Sequence, residues 1–145
     1  IGAMGQAIPF ALGLAMAQPD LRILLFTGDG DTLMSLGSIA TVANHPVTNL
    51  TIMVMDNESY VETGSQPTAT AGKTDLEIVA KGSGIANSYT ISSEKDYDRI
   101  IKTIYEEEGP SLVVAKCQVK ATPLVFPHSF DGSVSINRFM STLKS

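Results

Sequence analysis

Short, uninterrupted apolar runs constrain the fold of this chain more than any other feature of its sequence. Residues 22–27 and 50–55 are two such runs, and residues 111–119 are predicted to form the last strand. A run of this kind is typical of a parallel strand buried on both faces of a sheet. Between the runs, the sequence predicts a short strand over 88–91 and helices over residues 5–18, 32–44, 76–81 and 94–107. This alternation predicts an α/β fold with a three-layer, doubly wound and mainly parallel sheet.

Two of the predicted helices are amphipathic. Apolar side chains form one stripe along residues 32–44. In the helix over 94–107, four side chains are spaced to face the core together: Tyr97, Ile100, Ile101 and Ile104. We therefore expect both helices to pack on the sheet.

The length of the chain fits one domain. It has 145 residues, of which 43% are apolar, which is enough for a substantial core. We treat residues 1–145 as a single domain in which 120–145 form a C-terminal packing tail. A short helix is predicted in that tail from the spacing of Ile136, Phe139, Met140 and Leu143. Because the chain opens at Ile1 on an apolar segment, we expect it to be part of a longer polypeptide.

Charge and cysteine content limit the partners and the compartment. The formal net charge of −5 argues against a nucleic-acid or anionic membrane surface as partner. The apolar opening is interrupted by Gln6 and Pro9 and has no basic segment before it, so we expect a buried helix rather than a membrane span or signal peptide. The single Cys117 excludes an internal disulfide framework and fits a reducing, cytoplasmic location.

Polar stretches follow two of the apolar runs. The first is Gly28-Asp29-Gly30-Asp31 and the second is Asp56-Asn57. If the two strands are neighbours, these stretches meet at the carboxyl edge of the sheet, where open α/β folds bind ligands. Carboxylate and amide oxygens suit Mg²⁺ or Ca²⁺ rather than zinc. The structural alternative is an ordinary turn at each stretch, with Asp31 as a helix N-cap.

The segment around these stretches carries acids but no bases. Residues 23–72 contain no Lys or Arg, whereas they include Asp29, Asp31, Asp56, Glu58 and Glu62. A phosphate group here would have to be held by a helix N-terminus and by a metal ion that offsets the acids. The sequence therefore predicts a metal-bridged phosphate ligand.

The order and spacing of the two stretches resemble the thiamine diphosphate motif, in which a GDG triplet precedes a pair of asparagines. Here Gly28-Asp29-Gly30 is followed by 25 residues and then by Asp56-Asn57. Asp56 departs from the motif, which has its first Asn at this place. Asn57 matches the second Asn, which is the metal ligand in the family.

The resemblance implies a thiamine-diphosphate-binding fold and assigns roles to single residues. Asp29 and Asn57 would bind Mg²⁺ through side-chain oxygens, and Ser59 would bind it through its main-chain carbonyl. The residues implied at the diphosphate are Gly28, Gly30 and Asp31.

A second segment, GAMG at residues 2–5, is similar to one in decarboxylases of this superfamily. In them a bulky apolar residue separates the two rings of the cofactor and holds it bent. Here that residue would be Met4. The carbonyl of Gly2 would accept a hydrogen bond from the 4′-amino group of the cofactor.

Within the superfamily, residues 50–68 resemble the branch of sulfopyruvate and phosphonopyruvate decarboxylases, which share the pattern D-N-x-x-Y-x-x-T-G-x-Q-x-T. The segment INRFM near the C-terminus is also similar to that branch. The pattern places Tyr60 among the cofactor-binding residues. Glu62, together with Thr63, is expected to handle a proton in catalysis. The alternative for Glu62 is a solvated loop acid.

The reaction implied is decarboxylation of a 2-oxo acid that depends on thiamine diphosphate and Mg²⁺. Enzymes of this type hold the cofactor between two domains, and this chain would provide the diphosphate half. A pyrimidine-binding domain or subunit with the activating Glu would complete the site in a homo- or hetero-oligomer. Because the sequence places no Lys or Arg near the site, groups that recognise a sulfonate or phosphonate would come from elsewhere.

Other functions remain open at this point. An acetolactate-synthase-like carboligase or the β subunit of a 2-oxoacid oxidoreductase would use the same cofactor, although one Cys cannot hold an iron–sulfur cluster. A non-catalytic doubly wound binding module is the third reading. The chain has neither the G-x-G-x-x-G nor the G-x-x-x-x-G-K-[ST] motif of nucleotide-binding modules.

Overall fold

A parallel sheet forms the centre of the molecule. The computed structural model describes residues 3–45, 47–118, 125 and 131–143. The strands are, in chain order, β1 (Ile23–Gly28), β2 (Leu50–Asp56), β3 (Ser59–Tyr60), β4 (Gln66–Pro67), β5 (Asn87–Ile91) and β6 (Ser111–Lys116). Four of them pair in parallel in the order β1-β2-β6-β5. The two short strands β3 and β4 form a separate antiparallel pair.

Helices cover both faces of this sheet. They are α1 (Ala7–Ala17), α2 (Asp29–Met34), α3 (Gly37–Ala43), α4 (Leu76–Ser83), α5 (Tyr97–Tyr105) and α6 (Gly132–Thr142). On one face α1, α3 and α4 bury Ile8, Ile39 and Leu76 in a cluster that also contains residues of β2 and β6. On the other face α5 buries Ile100 in a second cluster. The predicted three-layer α/β architecture is therefore confirmed.

The predicted helix over 32–44 is two helices in the structure. The first, α2, begins earlier, at Asp29, because acidic residues favour a helix N-terminus and the Thr32 hydroxyl donates to the Gly28 carbonyl at 2.8 Å. It ends at Ser35, whose backbone is not helical, and Gly37, a weak helix former, follows within two residues. The polar stretch after β2, residues 57–73, contains the β3–β4 pair and two short 3₁₀ turns, Val61–Thr63 and Ala69–Ala71.

The last strand of the sheet is shorter than predicted. β6 ends at Lys116 because its neighbour β2 ends at Asp56, the residue paired with Lys116 in the parallel register. Cys117 makes one more backbone hydrogen bond, to the Asp56 carbonyl at 3.0 Å, and is not part of the strand. Val119, where the prediction ended, lies outside the described residues.

The amphipathic helix α5 packs on the sheet with only part of its apolar stripe. Ile100 is buried, but Tyr97 is 60% exposed and Ile101 is 53% exposed. The prediction that both would face the core was wrong. These side chains line an apolar hollow of about 540 Å³ that also includes Phe26 and Met55 on the same face of the sheet.

The C-terminal helix α6 contacts α1. The rings of Phe139 and Phe10 lie with their centroids 6.1 Å apart. Most of the predicted tail before this helix, residues 120–124 and 126–130, lies outside the described residues, and this part includes His128. No helix in the described part of the chain is long and apolar enough to cross a membrane.

Candidate active site

A cavity with both acidic and apolar side chains lies at the carboxyl edge of the sheet, where β1 and β2 end side by side. Gly28 at the end of β1 pairs with Met55 of β2, so the two polar stretches are neighbours as the sequence predicted. The cavity has a volume of about 270 Å³. It is lined by Met4, Gly28, Asp29, Gly30, Asp31, Asn57, Ser59, Tyr60, Val61, Glu62 and Thr63. The list contains all of the predicted site residues except Gly2, which lies outside the described residues.

Asp29 is the most buried acid of the cavity. It is 2% exposed and opens helix α2. Its Oδ2 accepts hydrogen bonds from the hydroxyls of Thr68 at 2.6 Å and Thr70 at 3.2 Å. Its Oδ1 accepts only a long hydrogen bond, 3.4 Å, from the backbone N–H of Asn57 among the interactions of the described residues. One oxygen of Asp29 is thus firmly held, and the other has capacity for a further partner.

Asp31 has a different environment from Asp29. Its Oδ1 accepts from the backbone N–H of Gly5 at 2.6 Å, and its Oδ2 accepts from the Thr27 hydroxyl at 2.6 Å. Asp31 therefore fastens the GAMG segment to the start of α2. Its predicted contact with the diphosphate stays a prediction.

Gly30 is required by the close approach of Tyr60. A Cβ at position 30 would lie 2.6 Å and 2.7 Å from two carbons of the Tyr60 ring. The side chain of Met4 reaches the same place, since its Cε would be 3.6 Å from that Cβ. Met4 is 43% exposed, so it faces the cavity rather than the core.

Asn57 and Ser59 form a tight turn after β2. The side-chain oxygen of Asn57 accepts from the Ser59 backbone N–H at 2.9 Å, and Glu58 between them has a positive φ of 61°. Together with Asp29, these residues offer one carboxylate, one amide oxygen and one carbonyl. Mg²⁺ is usually held by few protein oxygens and completes its shell with phosphate and water, so this donor set fits it. No cluster of three or more His, Cys, Asp or Glu side chains that could hold a metal occurs in the described ranges.

Glu62 and Thr63 lie at the mouth of the cavity, in the 3₁₀ turn that follows β3. Both are exposed. The Thr63 hydroxyl donates to the Gln66 side-chain oxygen at 2.9 Å, and the Gln66 amide donates to the Thr63 carbonyl at 2.8 Å. The turn is thus held in place, while Glu62 is accessible from the cavity and from solvent.

Sequence reasoning missed a cation beside the site. The Lys116 ammonium lies 2.8 Å from Asp56 and 2.8 Å from Glu58. Burial acts to lower the pKa of Lys116, but the hydrogen bonds to Asp56 and Glu58 outweigh it, and its pKa is raised above the usual value. The prediction that no Lys lies near the site was therefore wrong. Lys116 is 60 positions from Asp56 in sequence, and only the pairing of β6 with β2 brings them together.

His45 and Cys117 are two further residues of types that can take part in catalysis, and neither lines the cavity. The His45 ring nitrogen Nδ1 is 2.7 Å from the Thr41 carbonyl, at the end of α3. Cys117 is exposed, and desolvation of its sulfur, with the nearby charges of Asp56 and Asp29, raises the pKa of the thiol. A protonated thiol is a poor nucleophile, so nothing in this geometry activates Cys117.

The strand order, the two helical layers and the cavity define the class of the protein. It is a doubly wound α/β domain with a cavity at the carboxyl edge of its sheet, where such folds bind ligands. Within that class the chain belongs to the thiamine pyrophosphate enzymes. Residues 1–115 match the family described as thiamine pyrophosphate enzyme, C-terminal TPP binding domain. The resemblance inferred from the sequence is confirmed.

Individual relatives fall in the predicted branch. The chain is 35% identical to the sulfopyruvate decarboxylase subunit beta of Methanocaldococcus jannaschii over 116 residues, which are 80% of this chain and 61% of that protein. It is 37% identical to the phosphonopyruvate decarboxylase of Streptomyces viridochromogenes over 113 residues, which are 78% of this chain and 28% of that protein. The chain thus spans only part of the length of these relatives.

A solved structure supports the fold. The chain resembles 2-oxoglutarate:ferredoxin oxidoreductase from Magnetococcus marinus with a TM-score of 0.68 and 26% sequence identity. The likeness covers 80% of this chain and 46% of that chain.

Proposed function

We propose that this chain takes part in decarboxylation of a 2-oxo acid, of the sulfopyruvate or phosphonopyruvate type, with thiamine diphosphate and Mg²⁺. The observation that carries the proposal is the cavity at the strand ends. It brings together the described residues of two separate motifs, and its central acid, Asp29, is buried with one oxygen free of short contacts. The names of the relatives supply the reaction class.

The residues divide into those for the metal and those for the organic part of the cofactor. Asp29, Asn57 and the Ser59 carbonyl would hold Mg²⁺, which offsets the negative charge between the acids and a diphosphate. Gly28 and Gly30 would lie beside the phosphate at the start of α2: the space next to Gly28 is open, whereas Gly30 accommodates the Tyr60 ring. Thiamine diphosphate, when bound, supplies the electron sink that decarboxylation requires.

The remaining residues of the cavity would position and serve the reacting end. Met4 and Tyr60 give the cavity its apolar walls, and a bulky thioether can separate two rings by contact. Gly2 would accept from the 4′-amino group through its carbonyl. Glu62, accessible at the mouth beside Thr63, would give or take a proton at the substrate carbon.

Lys116 bears on the choice of substrate. A sulfonate or phosphonate needs a cationic or N–H partner, and Lys116 is the cation that the structure adds beside the site. Two carboxylates already neutralise it. We therefore propose that the main contacts to an anionic substrate group come from the other half of the active site.

That other half would be a pyrimidine-binding domain or subunit with the activating Glu. Two observations support it. The chain spans 61% of one relative, a protein named as a beta subunit, and 28% of another. On this chain, Met4 and apolar side chains around α5, among them Tyr97 and Ile101, are exposed, and grouped apolar side chains at the surface are typical of a contact with another domain.

Calorimetry with thiamine diphosphate tests the metal-bridge part of the proposal. Binding to the full-length protein should depend on Mg²⁺ and disappear in EDTA, because the acids of the cavity would otherwise repel the diphosphate. Asp29→Ala should remove the metal effect, since it deletes the charged ligand. The control is Asp98→Ala, an exposed acid in α5 away from the cavity. Equal affinity with Mg²⁺ and with EDTA would contradict the proposal.

A further inference from the structure

Two buried threonines contact the Asp29 carboxylate through their hydroxyls. Thr68 and Thr70 are 5% and 6% exposed, and both lie in the segment after β4 rather than in either motif stretch. Their hydroxyls are 2.9 Å apart, and both reach the same oxygen, Oδ2 of Asp29. Buried hydroxyls placed in this way orient a carboxylate, because each lost bond would leave a polar group without a partner.

The protons can be assigned from the distances. Each threonine hydroxyl has one proton to donate. The shortest contact of Thr68 is to Asp29 Oδ2 at 2.6 Å, and the shortest contact of Thr70 is to Asp56 Oδ1 at 2.7 Å. Thr68 is therefore the principal donor to Asp29, and Thr70 is the principal donor to Asp56.

Both oxygens of Asp56 are occupied by donors of the protein. Oδ1 accepts from Thr70 and from the Glu58 backbone N–H at 3.1 Å, and Oδ2 pairs with Lys116 at 2.8 Å. Asp56 is 2% exposed, so solvent does not compete for it. A cation in the cavity could therefore bind Oδ1 of Asp29, whereas both oxygens of Asp56 already have partners. Thr70 contacts both carboxylates.

The geometry points to Thr68 as a positioning residue for Asp29, with Thr70 and Lys116 holding Asp56 back from the cation. This inference rests on the proposed function. Thr68 fixes Oδ2 and leaves Oδ1 of Asp29 for the metal. Changing a residue that orients a metal ligand typically lowers metal affinity about 10- to 100-fold.

The test is the Mg²⁺ concentration that half-saturates thiamine diphosphate binding, measured by calorimetry on the full-length protein in its assembled form. Thr68→Val keeps the shape and removes the hydroxyl, and it should raise that concentration about tenfold or more. Thr68→Ser restores a hydroxyl and should recover most of the affinity. Mn²⁺ in place of Mg²⁺ gives a second readout, since its free and bound forms differ in their electron paramagnetic resonance spectra.

The matched control is Thr103→Val. Thr103 is also buried, at 1% exposure, and also donates to a carboxylate, that of Glu107 at 3.0 Å, but it lies in α5. It should lower the melting temperature and leave the half-saturating Mg²⁺ concentration unchanged. If Thr68→Val does not fold, Thr68→Ala replaces it, because it also removes the hydroxyl and places no methyl group against the Asp29 carboxylate.

The outcomes separate the inference from the proposed function. If the wild-type protein shows no Mg²⁺-dependent binding, both are overturned. If the wild-type protein binds and folded Thr68→Val has the same Mg²⁺ requirement, the proposed function stands and the role of Thr68 is overturned. A loss in Thr68→Val that Thr68→Ser does not recover also overturns it, because packing would then be the cause.

Discussion

At the scale of single residues, the first question is whether Met4 contacts the cofactor or belongs to the hydrophobic core. The side chain is 43% exposed and borders the cavity beside Gly30. Met4→Ala should therefore reduce the free energy of unfolding of the apo protein by less than about 1 kcal/mol, as for other exposed positions. Thiamine diphosphate affinity should fall, because one wall of the cavity is lost. Thermal melts and calorimetry measure the two effects.

Met53→Ala is the matched control for Met4. Met53 is 6% exposed and belongs to the cluster under α5, so its truncation should cost about 2–5 kcal/mol. If Met4→Ala destabilised the apo protein as much as Met53→Ala, Met4 would be a core residue and its proposed contact with the cofactor would be wrong.

Glu62 carries the second prediction at this scale. Glu62→Gln keeps the size of the side chain and removes its capacity to exchange a proton. Turnover by the assembled enzyme should fall about 10²-fold or more, while thiamine diphosphate affinity stays the same. The control is Glu106→Gln, another exposed acid, at the end of α5. Unchanged turnover in Glu62→Gln would leave Glu62 as a solvated loop acid.

At the scale of elements, strand order determines which residues reach the site. Asp29 and Asn57 could be predicted because consecutive strands, β1 and β2, carry them to the same edge. Lys116 could not be predicted, because β6 lies between β2 and β5 in the sheet, and its pairing with β2 joins strands that are not consecutive in sequence. A run of apolar residues predicts a strand but not the strands that pair with it. A contact between residues 60 positions apart therefore cannot be predicted from either segment alone.

Element boundaries show the same limit. The apolar stripe over 32–44 continues across α2 and α3, so hydrophobic periodicity alone predicts one helix where the structure has two. The break follows from the backbone at Ser35. The start of α2 matters for the site, because Asp29 is its first residue and the Asp29 carboxylate accepts a hydrogen bond from Thr68. Thr68 is the last residue of the pattern shared with the sulfopyruvate and phosphonopyruvate decarboxylase branch, yet neither Thr68 nor Thr70 was predicted as a site residue, because the sequence does not show that their hydroxyls reach Asp29.

At the scale of the whole molecule, the described residues form one four-stranded parallel sheet and the short β3–β4 pair, and the diphosphate half of the proposed site lies at the carboxyl edge of the parallel sheet. We expect the isolated chain to be inactive, because the proposed activating Glu belongs to a pyrimidine-binding half that this sheet does not supply. The assay is CO₂ release from a panel of 2-oxo acids with Mg²⁺ and thiamine diphosphate. The control is the same assay after the partner domain or subunit is added, which should start turnover. Sustained turnover by this chain with no other polypeptide present would show that the division of the site is wrong.

The hydrogen bond from the Gly5 N–H to Asp31 joins positions 26 residues apart, and it bears on where the domain tolerates insertions. The intervening segment, which contains α1 and β1, is closed at both ends beside the cavity. The placement of Met4 relative to Asp29 is therefore set by that bond and not by the length of chain between them. The exposed residues Pro19 and Asp20 lie between the carbonyls of Gln18 and Leu21, both of which accept from the Asn49 side chain, so an insertion between those two anchors can lengthen the loop without displacing Met4 or Asp29.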